Sequence, residues 1–186
     1  MYSRLLAPGV ILCSSTISAC DKTEKWQIAL DLLRCMFSVQ LRPNVISFNS
    51  GVSACEKLGL WQKAAVLLVD LGTTGCRPDV IGLNAAISAC AKAGCWQLSL
   101  EMLGSISTLR LSPSVISYSS AISACESGEQ WERALALLFC MGEASSTPNV
   151  VSYSGAISAC DRGCRWQLAL ELLDCMEFAT VRRNVV

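Results

Sequence analysis

The 186-residue sequence contains no histidine. Histidine is the usual general base near neutral pH and the commonest metal ligand, so its absence narrows both catalysis and metal binding. No C-x-x-C pair is present either. The nearest cysteines, Cys160 and Cys164, do not supply the paired, closely spaced ligands of a structural zinc site. A glycine-rich phosphate loop is missing, and the acidic residues fall on a repeating lattice or on surface helices. No catalytic constellation can be named. The chain reads as a non-enzyme with no metal and no cofactor.

Charge is scarce as well. Only 16% of residues are charged, and 15 basic groups balance 15 acidic ones. No global positive field recruits nucleic acid, so any such partner must meet a local basic face. Long apolar runs are lacking: the uncharged stretches Leu111 to Cys125 and Ala144 to Cys160 are interrupted by Pro, Ser or Asn. Both fall short of the roughly 20 apolar residues that span a membrane. The opening MYSRLLAPG is too short for a signal or transit peptide. Disorder is excluded from the other side, since 52% of the residues are hydrophobic.

What the sequence does have is a period. Cys20, Cys55, Cys90, Cys125 and Cys160 lie 35 residues apart, each after Ser-Ala in an apolar helical pattern. They read as buried free thiols acting as small hydrophobes, in a reducing compartment. Trp26, Trp61, Trp96, Trp131 and Trp166 share the spacing, and so do Pro8, Pro43, Pro78, Pro113 and Pro148. Three markers with one period and no insertion define a tandem array.

Five full units follow, 10–44, 45–79, 80–114, 115–149 and 150–184. Residues 1–9 form the tail of a preceding unit and 185–186 open a further one. In the fourth unit Tyr118, Ile122 and Cys125 mark one face of a first helix. Gly128 and Glu129 interrupt the pattern, and Trp131, Ala134, Leu135, Leu137, Leu138 and Met141 resume it as a second helix. Ser145, Ser146 and Pro148 connect to the next unit, because proline cannot continue a helix. The tryptophans stand in register with the Ala/Leu face and are read as packing residues. A two-helix hairpin of this size cannot bury its own apolar face, so the hairpins must stack: an all-α solenoid.

The units VISFNSGVSACEKLGLWQKAAVLL and VIGLNAAISACAKAGCWQLSLEML, each closing in P-[ND] or P-S, resemble the pentatricopeptide repeat. The resemblance covers residues 10–184. It is weakest in the end units, where Cys13 replaces an aromatic residue or leucine and Arg183 stands where the others have proline. The tetratricopeptide repeat is the nearest alternative. It has a 34-residue unit and a peptide-binding role, but its W-x-x-L-G-x-x-Y pattern is absent here.

The resemblance implies a right-handed superhelix that binds single-stranded RNA, one base per repeat. The family's base-selecting pair maps onto the fifth and last residues of each unit. These are Ser14 and Asn44, Asn49 and Asp79, Asn84 and Ser114, Ser119 and Asn149, and Ser154 and Asn184. Ionised Asp only accepts hydrogen bonds, which suits the N3–H of uracil, whereas Asn and Ser also donate. With the family's pairing preferences and parallel polarity, the expected target is 5′-AUCAA-3′. Ile11, Ile46, Ile81, Ile116 and Val151, second in each unit, match the family's base-sandwiching residues, with core packing as the competing reading.

From the residues themselves comes a polar stripe. Each fifth residue is followed at i+4 and i+8 by Ser and, in four units, by Lys22, Lys57, Lys92 or Arg162; the fourth unit ends in Ser127. This is a local basic ladder, tempered by Asp21, Glu56, Glu126 and Asp161, and it would contact phosphates. Single-stranded RNA is the implied partner. Protein partners stay open, including a tetratricopeptide-like scaffold with no RNA role, and neither a membrane nor a small-molecule substrate is expected. By family resemblance the setting is RNA processing, stability, editing or translation in a mitochondrion or plastid.

Overall fold

A computed structural model of the chain describes residues 9–144 and 146–184, with side chains as far as Glu177. Residues 1–8 of the expected leading tail and residues 185–186 lie outside the described residues, as does the side chain of Asn184. Among the described residues there are ten α-helices and no strand. The first helices are α1 (Val10–Lys22), α3 (Val45–Glu56), α5 (Val80–Lys92), α7 (Val115–Ser127) and α9 (Val150–Arg162). The second helices are α2 (Trp26–Ser38), α4 (Trp61–Thr73), α6 (Trp96–Thr108), α8 (Trp131–Glu143) and α10 (Trp166–Asn184). The helices build two compact units, Met1–Ala89 and Cys90–Val186. Among the described residues no helix is long and apolar enough to cross a membrane.

The last residue of one repeat starts the first helix of the next. Asn44 Oδ1 accepts the Ser47 N–H, Asp79 Oδ1 accepts the Gly82 N–H, and Asn149 Oδ1 accepts the Ser152 N–H, each at 2.9 Å. Ser114 does the same for Ser117, whose hydroxyl returns the favour to the Ser114 N–H at 2.9 Å. These are N-caps, satisfying donors that a helix cannot satisfy internally.

The Ser-Ala-Cys motif ends the first helix. In every repeat the cysteine carbonyl accepts an N–H five residues on: Lys25 to Cys20, Leu60 to Cys55, Cys95 to Cys90, Gln130 to Cys125 and Arg165 to Cys160, at 2.8–3.0 Å. This is the long bond of a Schellman turn, which needs a left-handed residue one position earlier. Gly59 and Gly94 supply it in two repeats, while Glu24, Glu129 and Cys164 adopt positive φ of 54–59° in the others.

Packing follows the period. In one unit α1 lies against α2 and α3, with Ile17, Ala29, Leu33, Met36, Phe48 and Val52 buried. In the other, α7, α8 and α9 surround Ile122, Ala134, Leu138, Met141, Ala156 and Ala159. Ile122 and Met141 are completely covered, and such burial contributes roughly 1.5–3 kcal/mol per side chain. Trp96 packs against Gly128 so closely that a Cβ there would overlap its ring, and Arg133 stacks 4.6 Å from the ring centre. Trp131 repeats the arrangement with Gly163 and Arg165.

All twelve cysteines are free, and the five at 35-residue spacing are buried. Burial pushes the thiols of Cys55, Cys90 and Cys125 up to about 11 from an ordinary value near 9, and that of Cys160 upward as well. They are protonated and apolar, as core residues should be.

Candidate functional site

One face of the first helices carries the residues singled out by the sequence. The second residue of each unit lies in the opening turn of its helix and points away from the core. Ile11, Ile46, Ile81, Ile116 and Val151 are between 58% and 82% exposed. Core packing does not explain them. An aliphatic residue held in solvent at the same position of each repeat offers each first helix an exposed apolar face.

The fifth and last residues are linked in three repeats, directly in the second and through a serine of the next repeat in the first and fourth. In the second, Asn49 Nδ2 donates to both carboxylate oxygens of Asp79, at 2.9 and 3.0 Å. The amide orientation is fixed by its partner, since only Nδ2 can face a carboxylate. Asn49 Oδ1 is buried and has no hydrogen-bond partner.

The fourth repeat joins its pair through a bridge. Ser152, third residue of the fifth repeat, donates its hydroxyl to Asn149 Oδ1 at 2.9 Å. Its single hydrogen is then used, so the 2.9 Å contact with Ser119 Oγ is donated by Ser119. Ser119 is buried at 8% exposure. Because Asn149 Oδ1 takes both the Ser152 N–H and its hydroxyl, Nδ2 remains as the donor of that amide.

The first repeat is built the same way, with Ser47 bridging Ser14 (2.7 Å) and Asn44 (2.9 Å). Ser14 also lies 2.7 Å from the Val10 carbonyl, so its one hydrogen is contested. In the third repeat Asn84 is half-buried on α5 and Ser114 caps α7. In the fifth, Ser154 is exposed.

These groups line a concavity. A cleft of about 430 Å³ is walled by Ile11, Ser14, Ser18, Lys22, Asn44 and Ile46. It brings together the aliphatic second residues of two successive repeats and the polar pair between them.

The basic ladder is less free than the sequence suggests. Asp21 is held by the next repeat, through Ser53 at 3.2 Å and Lys57 at 3.4 Å, and Lys57 also reaches the Asp21 carbonyl. Ser88 donates to Glu56 at 2.8 Å, and Arg162 pairs with Glu126 at 3.5 Å. The stripe is thus partly a set of clamps between repeats, joining Asp21 to residues 32 and 36 positions later, Glu56 to Ser88 at 32 and Glu126 to Arg162 at 36. Lys22 and Lys92 are exposed at the ends of α1 and α5. Among the described residues no cluster of three His, Cys, Asp or Glu is placed to hold a metal ion.

Two features escaped the sequence. The first is capping: Asn, Asp and Ser are the preferred N-cap residues, so their recurrence at the last position has a structural reason besides any recognition role. The second is the third residue of each following repeat, which touches the fifth residue of the one before. A 33-residue offset between Ser14 and Ser47, and between Ser119 and Ser152, was the available signal.

Comparison with known proteins decides the family. The pentatricopeptide repeat domain model matches residues 2–57 and 66–128, and a PPR repeat model matches 116–145. The chain belongs to the pentatricopeptide repeat family.

Solved structures share its fold. The pentatricopeptide repeat protein PPR10 from maize superposes with a TM-score of 0.76 at 19% identity, over 96% of this chain and 26% of that one. The PPR domain of Arabidopsis thaliana protein-only RNase P 1, solved in complex with tRNA, gives 0.79 at 12% identity, over 94% and 91%. PPR10 bound to an 18-nt psaJ RNA element gives 0.74 at 18%, over 90% and 28%. The chain therefore spans about a quarter of PPR10. No curated protein sequence matches it.

Proposed function

We propose that this chain binds single-stranded RNA, one base per repeat, with the fifth and last residues of each unit selecting the base. The single observation that carries the reading is the cleft between Ile11 and Ile46, with Ser14 and Asn44 on its wall and Lys22 at its rim. A base inserted there would be covered on both faces by aliphatic side chains and would meet the polar pair edge-on. Removing apolar surface from water supplies affinity without sequence preference. The polar pair supplies the choice.

The donor and acceptor pattern supports the target 5′-AUCAA-3′. In the second repeat Asp79 presents carboxylate lone pairs, which suit the N–H edge of uracil. In the first and fourth repeats Asn44 and Asn149 retain an Nδ2 donor for a ring-nitrogen acceptor, and serine leaves room for a purine. Lys22, Lys57, Lys92 and Arg162 would meet the backbone, with ion pairs such as those of Lys57 and Arg162 exchanged for a phosphate. The relatives bound to tRNA and to the psaJ element are consistent with this chemistry. The role is that of a recognition module for RNA processing, stability, editing or translation in a mitochondrion or plastid, with no catalytic step assigned to it.

A labelled RNA carrying AUCAA should bind at least tenfold more tightly than a base-scrambled partner, given about 1–3 kcal/mol per mismatched base. Equal affinities would refute base selection. Five bases recur by chance about once per thousand nucleotides, so specificity has to be judged against the number of competing sites.

A further inference from the structure

We infer that the third residue of each following repeat is a positioning residue for base selection, and that Gly82 exists to make room for Asn49. The inference rests on the base-reading function proposed above. Three junctions show the fifth residue of one repeat against the third residue of the next. Ser14 meets Ser47 at 2.7 Å, and Ser119 meets Ser152 at 2.9 Å. Asn49 meets Gly82, where a Cβ would overlap Asn49 Oδ1. At two of these junctions serine stands opposite serine, and at the third Asn49 stands opposite no side chain, while the same register gives Asn84 the counterpart Ser117.

Gly82 has no other reason to be glycine. It is the third residue of α5, a helical position where alanine is favoured by about 1 kcal/mol. Its φ is not left-handed, and apart from the Asn49 amide the nearest atom to its would-be Cβ is Leu68 Cδ2 at an ordinary 3.6 Å. The missing Cβ matters to Asn49 alone. With it missing, the Asn49 amide sits between Gly82 and Asp79, with Nδ2 on the carboxylate and Oδ1 against the glycine, without a hydrogen-bond partner.

Where the third residue is serine, the hydroxyl does the positioning. Ser152 and Ser47 each bridge a fifth residue to the last residue of the same unit, fixing which atoms of the pair remain to face a base. The recognition unit is a group of three: fifth residue, last residue, and the third residue 33 positions after the fifth.

The test uses Gly82→Ala, Asn49→Ala and the double variant of the full chain. Overlap with the far end of a flexible side chain is relieved by rotating the Asn49 amide, so the fold should survive. In the Asn49→Ala background, Gly82→Ala should raise Tm by about 2–4 °C, the helix-propensity gain for a chain of this size. In the wild-type background that gain should vanish. Equal shifts in both backgrounds overturn the inference without any reference to RNA. Binding is then measured with RNAs carrying AUCAA, ACCAA and AUUAA. Wild type should prefer U at the second base by about tenfold. Gly82→Ala should bring this below threefold while leaving the preference for C at the third base unchanged. A selective wild type whose second-base preference survives Gly82→Ala overturns the inference alone. A wild type indifferent to the second base removes the base-reading function, and the inference with it.

Discussion

The second and fourth repeats solve the same local problem with different residues. Both must start the next helix, orient a fifth residue and bury a thiol. The second does this with Asn49, Asp79 and Gly82, where a charged cap grips the fifth residue directly. The fourth uses Ser119, Asn149 and Ser152, where a neutral cap is joined to the fifth residue by a hydroxyl. At the turn between helices the second repeat places Gly59 in the left-handed conformation and the fourth places Glu129 there. The scaffold tolerates both because capping constrains one atom of the last residue and leaves the rest of its side chain available.

The largest expected effect concerns what the two repeats share. Cys55 and Cys125 are held up to about 11, so both are protonated in folded and unfolded chains below pH 9 and their contribution is then fully present. Between pH 9 and 11 the unfolded thiols ionise and the folded ones do not. Stability should fall steadily across that window in denaturant titrations. A flat profile would mean that these thiols are not desolvated.

The next tests separate the repeats. Asp79→Ala removes a cap and strands the Asn49 amide, and should cost about 2 kcal/mol. Asn149→Ala removes a neutral cap and should cost about 1 kcal/mol. Urea midpoints at constant m-value measure the difference, and equal losses would show that the Asn49–Asp79 contact adds nothing to the cap. Asp79→Asn keeps the capping oxygen but replaces an acceptor with a donor. It should shift the second base from U toward C by about tenfold in binding, or 1.4 kcal/mol, and an unchanged preference would break the donor/acceptor account.

Ser99 occupies the helix position where the second and fourth repeats have Ala64 and Ala134. It is fully buried with a hydroxyl that has no partner. Ser99→Ala should stabilise by about 1 kcal/mol in thermal unfolding. The smallest effect is Glu129→Gly, which makes the fourth turn like the second. Relief of left-handed strain, offset by glycine's flexibility, should leave a gain of roughly 0.5 kcal/mol.

Much of the architecture was legible because a tandem array writes each constraint five times. One cysteine after Ser-Ala says little, but five at one spacing, in register with five tryptophans, define hairpins and predict buried thiols. The solvent-facing second residues were visible as a recurring position, though an isoleucine looks alike in a core or on a surface, and only its exposure tells the two apart. The clamps between Asp21, Ser53 and Lys57 were harder to see. A ladder of cations looks free until the acids 36 residues earlier are brought across the repeat junction. Gly82 was hardest, since the lack of a side chain carries meaning only beside the asparagine that fills the space.

On the base-reading function proposed above, capping has a consequence for how such a chain can change its target. The last residue of a repeat draws on a vocabulary of Asn, Asp, Ser and little else, because any other choice leaves the next helix uncapped. In an array where each hairpin leans only on its neighbours, that penalty recurs at every junction. An address can be rewritten letter by letter, but only in the few letters that also know how to begin a helix.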